Sequence, residues 1–359
     1  MKKILFVLPS LEMGGAEKVM SILFNHLNEK EFDGYFFSFK GGLLRKKLKG
    51  PKKNQITLNK KKIISGIFHF IYTSRKIKPD IIFSTHSHLN AMICFLKKIK
   101  VLNSKIVIRE SNFLSEQQKN AKTIYEKFFI TWFLKKTYPS SNLLICQTNE
   151  MLDDANNFFN GKSFLKLVIN NPIEIIPKFE EYGNSKNIIT IGRLEPQKNQ
   201  ALLIEAFSQI CNKIQHNLMI IGHGSQFLNL QDLIKEKKLG GRVFLTGFLD
   251  NPWEKYRNSS LFVLPSNFEG FPNVIIESMA NSTPVISSDC PSGPKEIIRD
   301  KVNGMLFSVG DVEELSRAIL RLVNDYKFSE SLKRNAYRDI QKYNHKKISM
   351  TYQEIFNQI

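Results

Sequence analysis

The sequence predicts an α/β protein with two doubly wound domains. Short apolar, β-branched segments of strand length recur along the 359 residues, and segments of helical periodicity separate most of them. Strands that are apolar throughout are typical of parallel sheets covered by helices on both faces. The length agrees with two domains, because one hydrophobic core rarely grows beyond about 250–300 residues. We therefore expect two parallel sheets and two cores.

The predicted elements fall into two sets. The strands of the first set are Ile4–Leu8, Tyr35–Phe39, Gln55–Leu58, Asp80–Thr85, Lys105–Glu110, Leu143–Thr148 and Leu165–Asn170. The strands of the second set are Asn187–Arg193, Leu218–Gly222, Val243–Phe248, Leu261–Pro265, Pro284–Asp289 and Met305–Val309. The clearest helical patterns are Ala16–Leu27, Ala201–Cys211, Phe227–Lys237, Asn273–Ala280 and Val312–Asn324. Ser329–Ile359 is predicted as helix with a break near Tyr343.

The junction between the domains is predicted at Asn171–Asn187, where proline and glycine interrupt the periodicity among polar residues. This division gives a first domain over residues 1–172 and a second over residues 187–330. Residues 331–359 form a C-terminal helical segment, for which packing against the first domain is one option.

The net charge is unevenly distributed. Residues 1–172 contain 29 Lys and Arg against 12 Asp and Glu, a net charge of +17 out of +19 for the whole chain. A compositional bias toward lysine would affect both halves, so it does not explain the contrast. We interpret the first half as a basic surface that meets an anionic partner. The basic residues cluster at Arg45–Lys53, Lys60–Lys62 and Lys97–Lys100.

Cysteine usage and hydropathy predict a cytoplasmic protein. The four cysteines have no C-x-x-C spacing, so we expect buried free thiols in a reducing compartment. The N-terminus enters a strand pattern at once, which does not fit a secretory signal. No segment approaches the roughly 18–20 apolar residues that span a bilayer. Any membrane association is therefore expected to be peripheral.

The residues from Glu269 to Glu277, E-G-F-P-N-V-I-I-E, carry the strongest chemical signal. They follow the predicted strand Leu261–Pro265 and place two carboxylates across a loop and the first turns of a helix. Unpaired backbone N–H groups and the helix dipole make such a helix N-terminus an anion site. Two acids beside an anion site predict a ligand in which two hydroxyl-rich groups are joined by phosphate, as in a sugar nucleotide.

Further motifs follow other strand ends. Arg193 and Lys198 lie five positions apart after the first strand of the second set. They can bind a diphosphate at this strand end, and the alternative is a solvated basic loop. Gly14 and Gly15 separate the first strand from its helix, either to admit a ligand or as a tight turn. None of these is a G-x-G-x-x-G or Walker A motif. His223, between two glycines, is interpreted as a loop residue rather than a catalyst.

Taken in order, G-G-A-E, G-R-L-x-x-x-K-N, G-x-G, G-F, E-G-F-P-N-V-I-I-E and P-V-I-S-S-D resemble the family 4 retaining glycosyltransferases. The resemblance covers nearly the whole chain and is most specific between Arg193 and Gly293. It implies the GT-B architecture, in which two Rossmann-like domains face a cleft. Among members, and partly on the segment Asp289–Glu296, the chain looks most like bacterial enzymes that add N-acetylhexosamine to polyprenyl-diphosphate-linked or other surface oligosaccharides.

The resemblance implies a role for each matched residue of the second domain. Glu277 would accept hydrogen bonds from the ribose hydroxyls, and Glu269 would face the donor sugar near its anomeric carbon. Arg193 and Lys198 would neutralise the departing diphosphate. The further donor-binding residues implied are Gly15, Gly222, Gly224, Phe248, Gly270, Phe271, Asn273, Val274 and Ile275. The uracil would lie near Phe248 and the loop at Gly222–Gly224.

The acceptor side departs from the family pattern. Many members carry a histidine after an N-domain strand, but here the corresponding strand ends in Arg109-Glu110. Glu110 and His86 are the candidate acceptor-side residues, although a histidine at a strand end equally serves as a packing or capping residue. The family mechanism implies front-face attack without a metal, and no D-x-D motif is present. We expect no cofactor, since the UDP-sugar is a substrate.

A lipid-linked acceptor would bring the protein to the inner face of the cell membrane, where anionic lipids attract basic clusters. The segment Tyr125–Tyr138 mixes aromatic residues with lysines. It is interpreted as a helix packed in the core, with insertion of Trp132 at the headgroup level as the alternative. Two other functions stay open: a GT-B sugar-nucleotide epimerase, and a basic nucleic-acid-binding protein, for which no recognised motif is present.

Overall fold

The computed structural model describes residues 1–60, 63–115, 123–175, 185–257, 259–291 and 293–359, without the side chains of 124–127. The chain divides into two compact units. The first contains Met1–Ile173 and His345–Ile359, and the second contains Glu174–Asn344. Part of the predicted junction, residues 176–184, lies outside the described residues, as do Lys61, Lys62 and Ser292.

The first unit contains a parallel sheet of seven strands in the order β3-β2-β1-β4-β5-β6-β7. The strands are β1 Lys2–Ser10, β2 Phe32–Lys40, β3 Gln55–Thr57, β4 Ile81–Thr85, β5 Lys105–Arg109, β6 Leu143–Cys146 and β7 Lys166–Val168. The helices described before residue 174 are α1 Gly15–Asn25, α2 Ile67–Ile77, α3 Ser87–Lys98, α4 Ile124–Thr137 and α5 Asn149–Phe158.

Two cores cover the two faces of this sheet. On one face Phe6 of β1 lies opposite Phe36 of β2 and Phe83 of β4, and the rings of Phe6 and Phe83 meet edge to face at 5.4 Å. Each buried phenylalanine contributes roughly 1.5–3 kcal/mol through removal from water. The other face carries a second cluster that includes side chains of α2, α3, α4 and α5.

The last helix of the chain, α13 His345–Gln358, packs on the first sheet. Tyr352 and Phe356 bring their rings to 5.6 Å and 5.5 Å from the ring of Phe83. The backbone N–H of His345 donates to the carbonyl of Ile173 at 3.0 Å. The predicted break near Tyr343 therefore ends one helical stretch and begins the helix that returns to the first unit.

The second unit contains a parallel sheet of six strands in the order β10-β9-β8-β11-β12-β13. The strands are β8 Asn187–Ile191, β9 Asn217–Ile221, β10 Val243–Gly247, β11 Leu261–Leu264, β12 Val285–Ser288 and β13 Met305–Phe307. The helices are α6 Gln200–Ile210, α7 Phe227–Glu236, α8 Pro252–Tyr256, α9 Asn273–Ala280, α10 Pro294–Ile297, α11 Val312–Asn324 and α12 Tyr326–Asp339. Asp311 and Asp325 cap α11 and α12 by accepting from backbone N–H groups, which fixes where these helices begin.

The predicted fold class is confirmed, and a strand lies at each predicted position. The interpretation of Tyr125–Tyr138 as a helix packed in the core is right for Leu134 and Tyr138, which are buried. It is wrong for Phe128, Phe129 and Trp132, which are exposed. The helix turns only part of its apolar surface toward the sheet.

Candidate active site

The predicted site residues of the second unit lie in loops at one edge of its sheet, apart from those on α9, which follows one of these loops. The carboxyl ends of parallel strands meet at the same edge, which is where open α/β sheets bind ligands. The loop after β8 donates from the N–H of Leu194 to the carbonyl of His223 at 3.0 Å. Its Gln197 carbonyl accepts from the N–H of Asn267, after β11, at 2.9 Å. The loops after β8, β9 and β11 are therefore joined into one surface.

Lys198 and Glu269 form an ion pair within this surface. Nζ of Lys198 lies 2.6 Å from Oε1 of Glu269, and the hydroxyl of Ser266 donates to the same oxygen at 2.6 Å. The Lys198 side chain is 16% exposed and that of Glu269 6%. Charges so withdrawn from water are stable only when paired and hydrogen-bonded, so each holds the other in place. The two residues predicted for the diphosphate and the sugar are thus in direct contact.

Arg193 is exposed and is held through a glutamine that the sequence interpretation missed. Its Nη2 donates to Oε1 of Gln197 at 3.2 Å, and Nε2 of Gln197 donates to the carbonyl of Phe268 at 2.9 Å. Gln197 therefore links the loop after β8 to the loop that carries Glu269. Its position between Arg193 and Lys198 in the sequence was the available signal.

Glu277 lies on α9 and contacts Trp253 of α8. The indole N–H of Trp253 donates to Oε2 of Glu277 at 3.2 Å, and the indole is buried. A buried indole N–H needs an acceptor, and here the acceptor is the Glu277 carboxylate, which the hydrogen bond also orients. Trp253 was missed because the pairing depends on the packing of two helices that are distant in sequence.

The loop before α9 is closely packed and partly satisfies its own backbone. Gly270 and Phe271 are buried, and the Phe271 ring lies 5.6 Å from that of Tyr343. The N–H groups of Asn273 and Ile275 donate to the carbonyls of Phe271 and Pro272, each at 2.9 Å. These two N–H groups are engaged locally, so the expected backbone contacts of Gly270–Ile275 with a donor stay a prediction.

At two of the predicted donor-binding positions, Gly222 and Gly224, close contacts between loops leave no room for a side chain. A Cβ on Gly222, whose φ is +152°, would lie 1.8 Å from the carbonyl oxygen of Gly192. A Cβ on Gly224 would lie 2.3 Å from the carbonyl oxygen of Leu194. The loops after β8 and β9 therefore approach too closely for any side chain at these positions. Phe248, which follows Gly247 at the end of β10, is exposed.

In the first unit, His86 pairs with an acid that the sequence interpretation did not single out. Nε2 of His86 lies 3.0 Å from Oε1 of Glu17, which is buried on α1 two residues after the exposed Gly15. His86 has a φ of +74°, a conformation that L residues seldom adopt. The signal for Glu17 was the acid of the G-G-A-E motif.

Glu110 is buried among donors of its own unit. Its carboxylate accepts from Oγ of Ser87 at 2.7 Å, from Nδ2 of Asn90 at 3.2 Å and from the hydroxyl of Tyr138. Burial raises the pKa of Glu110, and the hydrogen bonds from Tyr138, Ser87 and Asn90 act in the opposite direction. The roles of His86 and Glu110 toward an acceptor stay predictions.

Among the residues that the structure describes, no group of three or more His, Cys, Asp or Glu side chains is placed to hold a metal ion. Within the same residues, no helix is long and apolar enough to cross a bilayer. The cysteines of this part of the chain are free; three are buried, and Cys211 is partly exposed rather than buried as expected.

Comparison with known proteins gives a family match for the second half of the chain. Residues 172–339 match the family described as glycosyl transferases group 1. The chain contains a group 1 glycosyltransferase domain. The expectation of a glycosyltransferase is thereby confirmed, and the protein is a glycosyltransferase; its assignment to family 4 and a retaining reaction stay predictions.

Two relatives extend the similarity beyond this domain. The glycosyltransferase is 27% identical over 351 residues to a Campylobacter jejuni protein, covering 94% of this chain and 93% of that one. That protein is named GalNAc-alpha-(1->4)-GalNAc-alpha-(1->3)-diNAcBac-PP-undecaprenol alpha-1,4-N-acetyl-D-galactosaminyltransferase. An uncharacterized glycosyltransferase of Methanocaldococcus jannaschii is 29% identical over 303 residues, which is 78% of this chain and 74% of that one.

A solved structure supports the fold. HepE of Anabaena in complex with UDP-glucose matches with a TM-score of 0.85 over 100% of both chains, at 20% identity. The two parallel Rossmann-like sheets of the glycosyltransferase are those of the GT-B fold.

Proposed function

We propose that the glycosyltransferase moves a sugar, preferably N-acetylhexosamine, from a UDP-sugar to a growing surface or polyprenyl-diphosphate-linked oligosaccharide. The observation that carries the proposal is the Lys198–Glu269 pair, which lies in loops joined at the carboxyl edge of the second sheet. The name of the Campylobacter relative supports the sugar and the acceptor, and the UDP-glucose bound to HepE supports the donor.

The proposed reaction proceeds with retention by front-face attack. The bond between the anomeric carbon and the phosphate oxygen breaks while the acceptor oxygen bonds to that carbon from the same face. The acceptor proton passes to the leaving phosphate oxygen, so UDP departs with it. No second catalytic carboxylate of the hydrolase kind is then needed.

The residues of the second unit act on the charges that develop. Negative charge grows on the leaving diphosphate, where the cations of Lys198 and Arg193 stabilise it without a divalent metal ion. Positive character grows on the sugar ring, which the carboxylate of Glu269 stabilises or orients. Glu277, held by Trp253, accepts from the ribose hydroxyls and fixes the nucleotide.

The acceptor is assigned to the first unit. His86, paired with Glu17, and Glu110 are its proposed contacts. The net charge of +17 on residues 1–172 suits an anionic membrane surface, which a polyprenyl acceptor would require the protein to reach. We accordingly place the glycosyltransferase on the inner face of the cell membrane as a peripheral protein.

The test is a panel of UDP-sugars incubated with and without polyprenyl-diphosphate glycans, with UDP release and product mass measured together. Transfer predicts UDP release only with acceptor, and a mass gain of one sugar residue. Formation of an epimer without acceptor would instead establish the epimerase reaction. An exposed acid of the same unit provides the matched control: Glu254→Ala keeps the activity that Glu277→Ala loses.

A further inference from the structure

Three helices of the first unit cover the same face of its sheet. One core cluster on that face contains Phe70 of α2, Cys94 of α3 and Leu134 of α4. The connections from β3 to β4 and from β4 to β5 advance in the same direction across the sheet, so right-handed crossovers place α2 and α3 on one side. The side chains that point away from the core on these helices therefore share one outer surface.

On α2, this outer surface carries an apolar stripe. Ile64 just before the helix, and Phe68 and Tyr72 within it, recur every four residues and are all exposed, Phe68 to 83%. Residues four apart on a helix lie on the same side, so the three form one row. Phe70 and Ile77 face the core instead. The helix is thus apolar toward the sheet and again along its outer side.

A second apolar patch lies on α4 and α3. Phe128 is 74% exposed and Trp132 49%. The ring of Phe129 stacks on Phe133 at 6.0 Å, and Phe133 lies 5.8 Å from Phe95 of α3, so the patch continues from one helix to the next. Contiguous exposed apolar groups of this kind mark an interaction site. We call the stripe and the patch together the outer aromatic layer.

The C-terminal ends of the three helices that carry the outer aromatic layer are basic, and the single acid within these helices is Glu126 near the start of α4. Neither α2 nor α3 contains Asp or Glu, and both end in basic pairs, Arg75-Lys76 and Lys97-Lys98. Lys135 and Lys136 end α4, and Nζ of Lys98 donates to the carbonyl of Lys136 at 2.9 Å. Lysines near helix C-termini also suit the helix dipole. The dipole does not account for the absence of acids from α2 and α3 or for the exposed rings.

The exposed aromatic rings and the basic helix ends together determine which partner fits the outer aromatic layer. A second copy of the chain would bring two basic layers together, and their like charges would repel. A bilayer with anionic headgroups can bind both the rings and the basic residues, because aromatic rings insert at the headgroup level while lysines contact phosphate. We propose that the outer aromatic layer inserts into the surface of an anionic membrane. The proposal refines the membrane part of the proposed function and rests on it for the acceptor's location, but not on the donor chemistry.

The test measures binding of the full chain to vesicles of phosphatidylglycerol and phosphatidylethanolamine, with phosphatidylcholine vesicles for comparison. Phe128→Ser/Phe129→Ser/Trp132→Ser and Phe68→Ser/Tyr72→Ser are each expected to weaken binding at least ten-fold. Leu228→Ser/Tyr326→Ser removes exposed apolar groups from the second unit and is the matched control. Wild-type affinity in both aromatic variants, with circular dichroism showing that they fold, would overturn the proposal.

The position of Trp132 gives an independent readout, since the chain has only two tryptophans and Trp253 is buried. Vesicles with brominated acyl chains are expected to quench wild-type fluorescence and not that of Trp132→Phe. Equal quenching in both proteins contradicts insertion at this helix. A wild-type dimer that the aromatic variants convert to monomer would assign the layer to a second copy and also overturn the proposal.

A water-soluble acceptor separates this proposal from the proposed function. If the aromatic variants transfer sugar to a short-chain acceptor as fast as wild type but no longer bind vesicles, both proposals stand. If the protein binds vesicles through the aromatic residues but transfers no sugar, the membrane proposal stands and the proposed glycosyl transfer is refuted. If the protein transfers sugar but its vesicle binding does not depend on the aromatic residues, the proposed function stands and the membrane proposal is refuted.

Discussion

The ammonium group of Lys198 lies 2.6 Å from Oε1 of Glu269. One of the two proposed diphosphate-binding cations is therefore neutralised by the acid proposed to face the sugar. A bound diphosphate has to share Lys198 with Glu269, so donor binding and the orientation of this carboxylate are coupled.

The first prediction concerns this pair and stability. Lys198→Met leaves the buried carboxylate of Glu269 with the Ser266 hydroxyl but without its cation, which is expected to lower the free energy of unfolding by roughly 3 kcal/mol. The double variant Lys198→Met/Glu269→Gln removes the uncompensated charge and is expected to recover most of the loss. Urea unfolding followed by circular dichroism measures both.

An exposed pair of the same unit provides the control. Lys235 and Asp232 lie 3.4 Å apart with side chains 70% and 76% exposed, so Lys235→Met should cost below about 1 kcal/mol. Equal losses in Lys198→Met and Lys235→Met would show that burial does not strengthen the Lys198–Glu269 pair.

The second prediction concerns the nucleotide. Glu277→Ala would remove the proposed charge-assisted hydrogen bonds to the ribose, each worth about 1.5–3 kcal/mol, so the Kd for UDP should rise by one to two orders of magnitude. Trp253→Phe keeps the Glu277 carboxylate but removes the indole N–H that orients it, and should weaken UDP binding less. Isothermal titration calorimetry measures both, with Glu254→Ala as control. An unchanged Kd in Glu277→Ala would remove this residue from the nucleotide site.

The third prediction concerns the packed loops. Gly224→Ala places a Cβ 2.3 Å from the Leu194 carbonyl oxygen, whereas a Cβ on Gly241 meets nothing within 4 Å. Gly224→Ala should therefore lower the thermal midpoint and weaken UDP binding, and Gly241→Ala should do neither. Thermal unfolding with and without UDP checks this. A Gly224→Ala protein as stable as wild type would mean that the loops separate readily.

The fourth prediction concerns thiol reactivity and pH. Burial raises the pKa of Cys146 to about 12, and burial followed by the charge of Glu269 raises the pKa of Cys290 to about 12. Only the thiolate is alkylated, so in the folded chain both should resist iodoacetamide from neutral pH to about pH 10. Cys211, which is partly exposed, should react first. Mass spectrometry locates the labels; a urea-unfolded sample should label all four cysteines, and rapid native labelling of Cys290 would contradict its burial.

The sequence predicted the strands well because buried parallel strands are apolar at every position. Helices were less visible: α4 is apolar around most of its circumference, so its pattern did not separate Leu134, which is buried, from Trp132, which is exposed. Only the packing against the sheet decides which residues face outward.

Within the site, the motifs located residues but not their partners. Lys198 and Glu269 were assigned to separate parts of the donor, and their contact depends on two loops 71 positions apart in sequence. The same holds for Trp253 and Glu277. The resemblance implied that Gly222 binds the donor, and its position is also required by the nearby carbonyl of Gly192. Tertiary contacts of this kind have no local signature.

The configuration at the anomeric carbon of the product is the most direct test of the proposed retaining transfer. The wild-type glycosyltransferase would be given the α-linked UDP-N-acetylhexosamine that supports transfer and a polyprenyl-diphosphate glycan, with the product followed by proton NMR. The account predicts an α-linked sugar formed in equal amount to UDP, with loss of both signals in Lys198→Ala. A β-linked product, or UDP formed without any new glycosidic linkage, would contradict it.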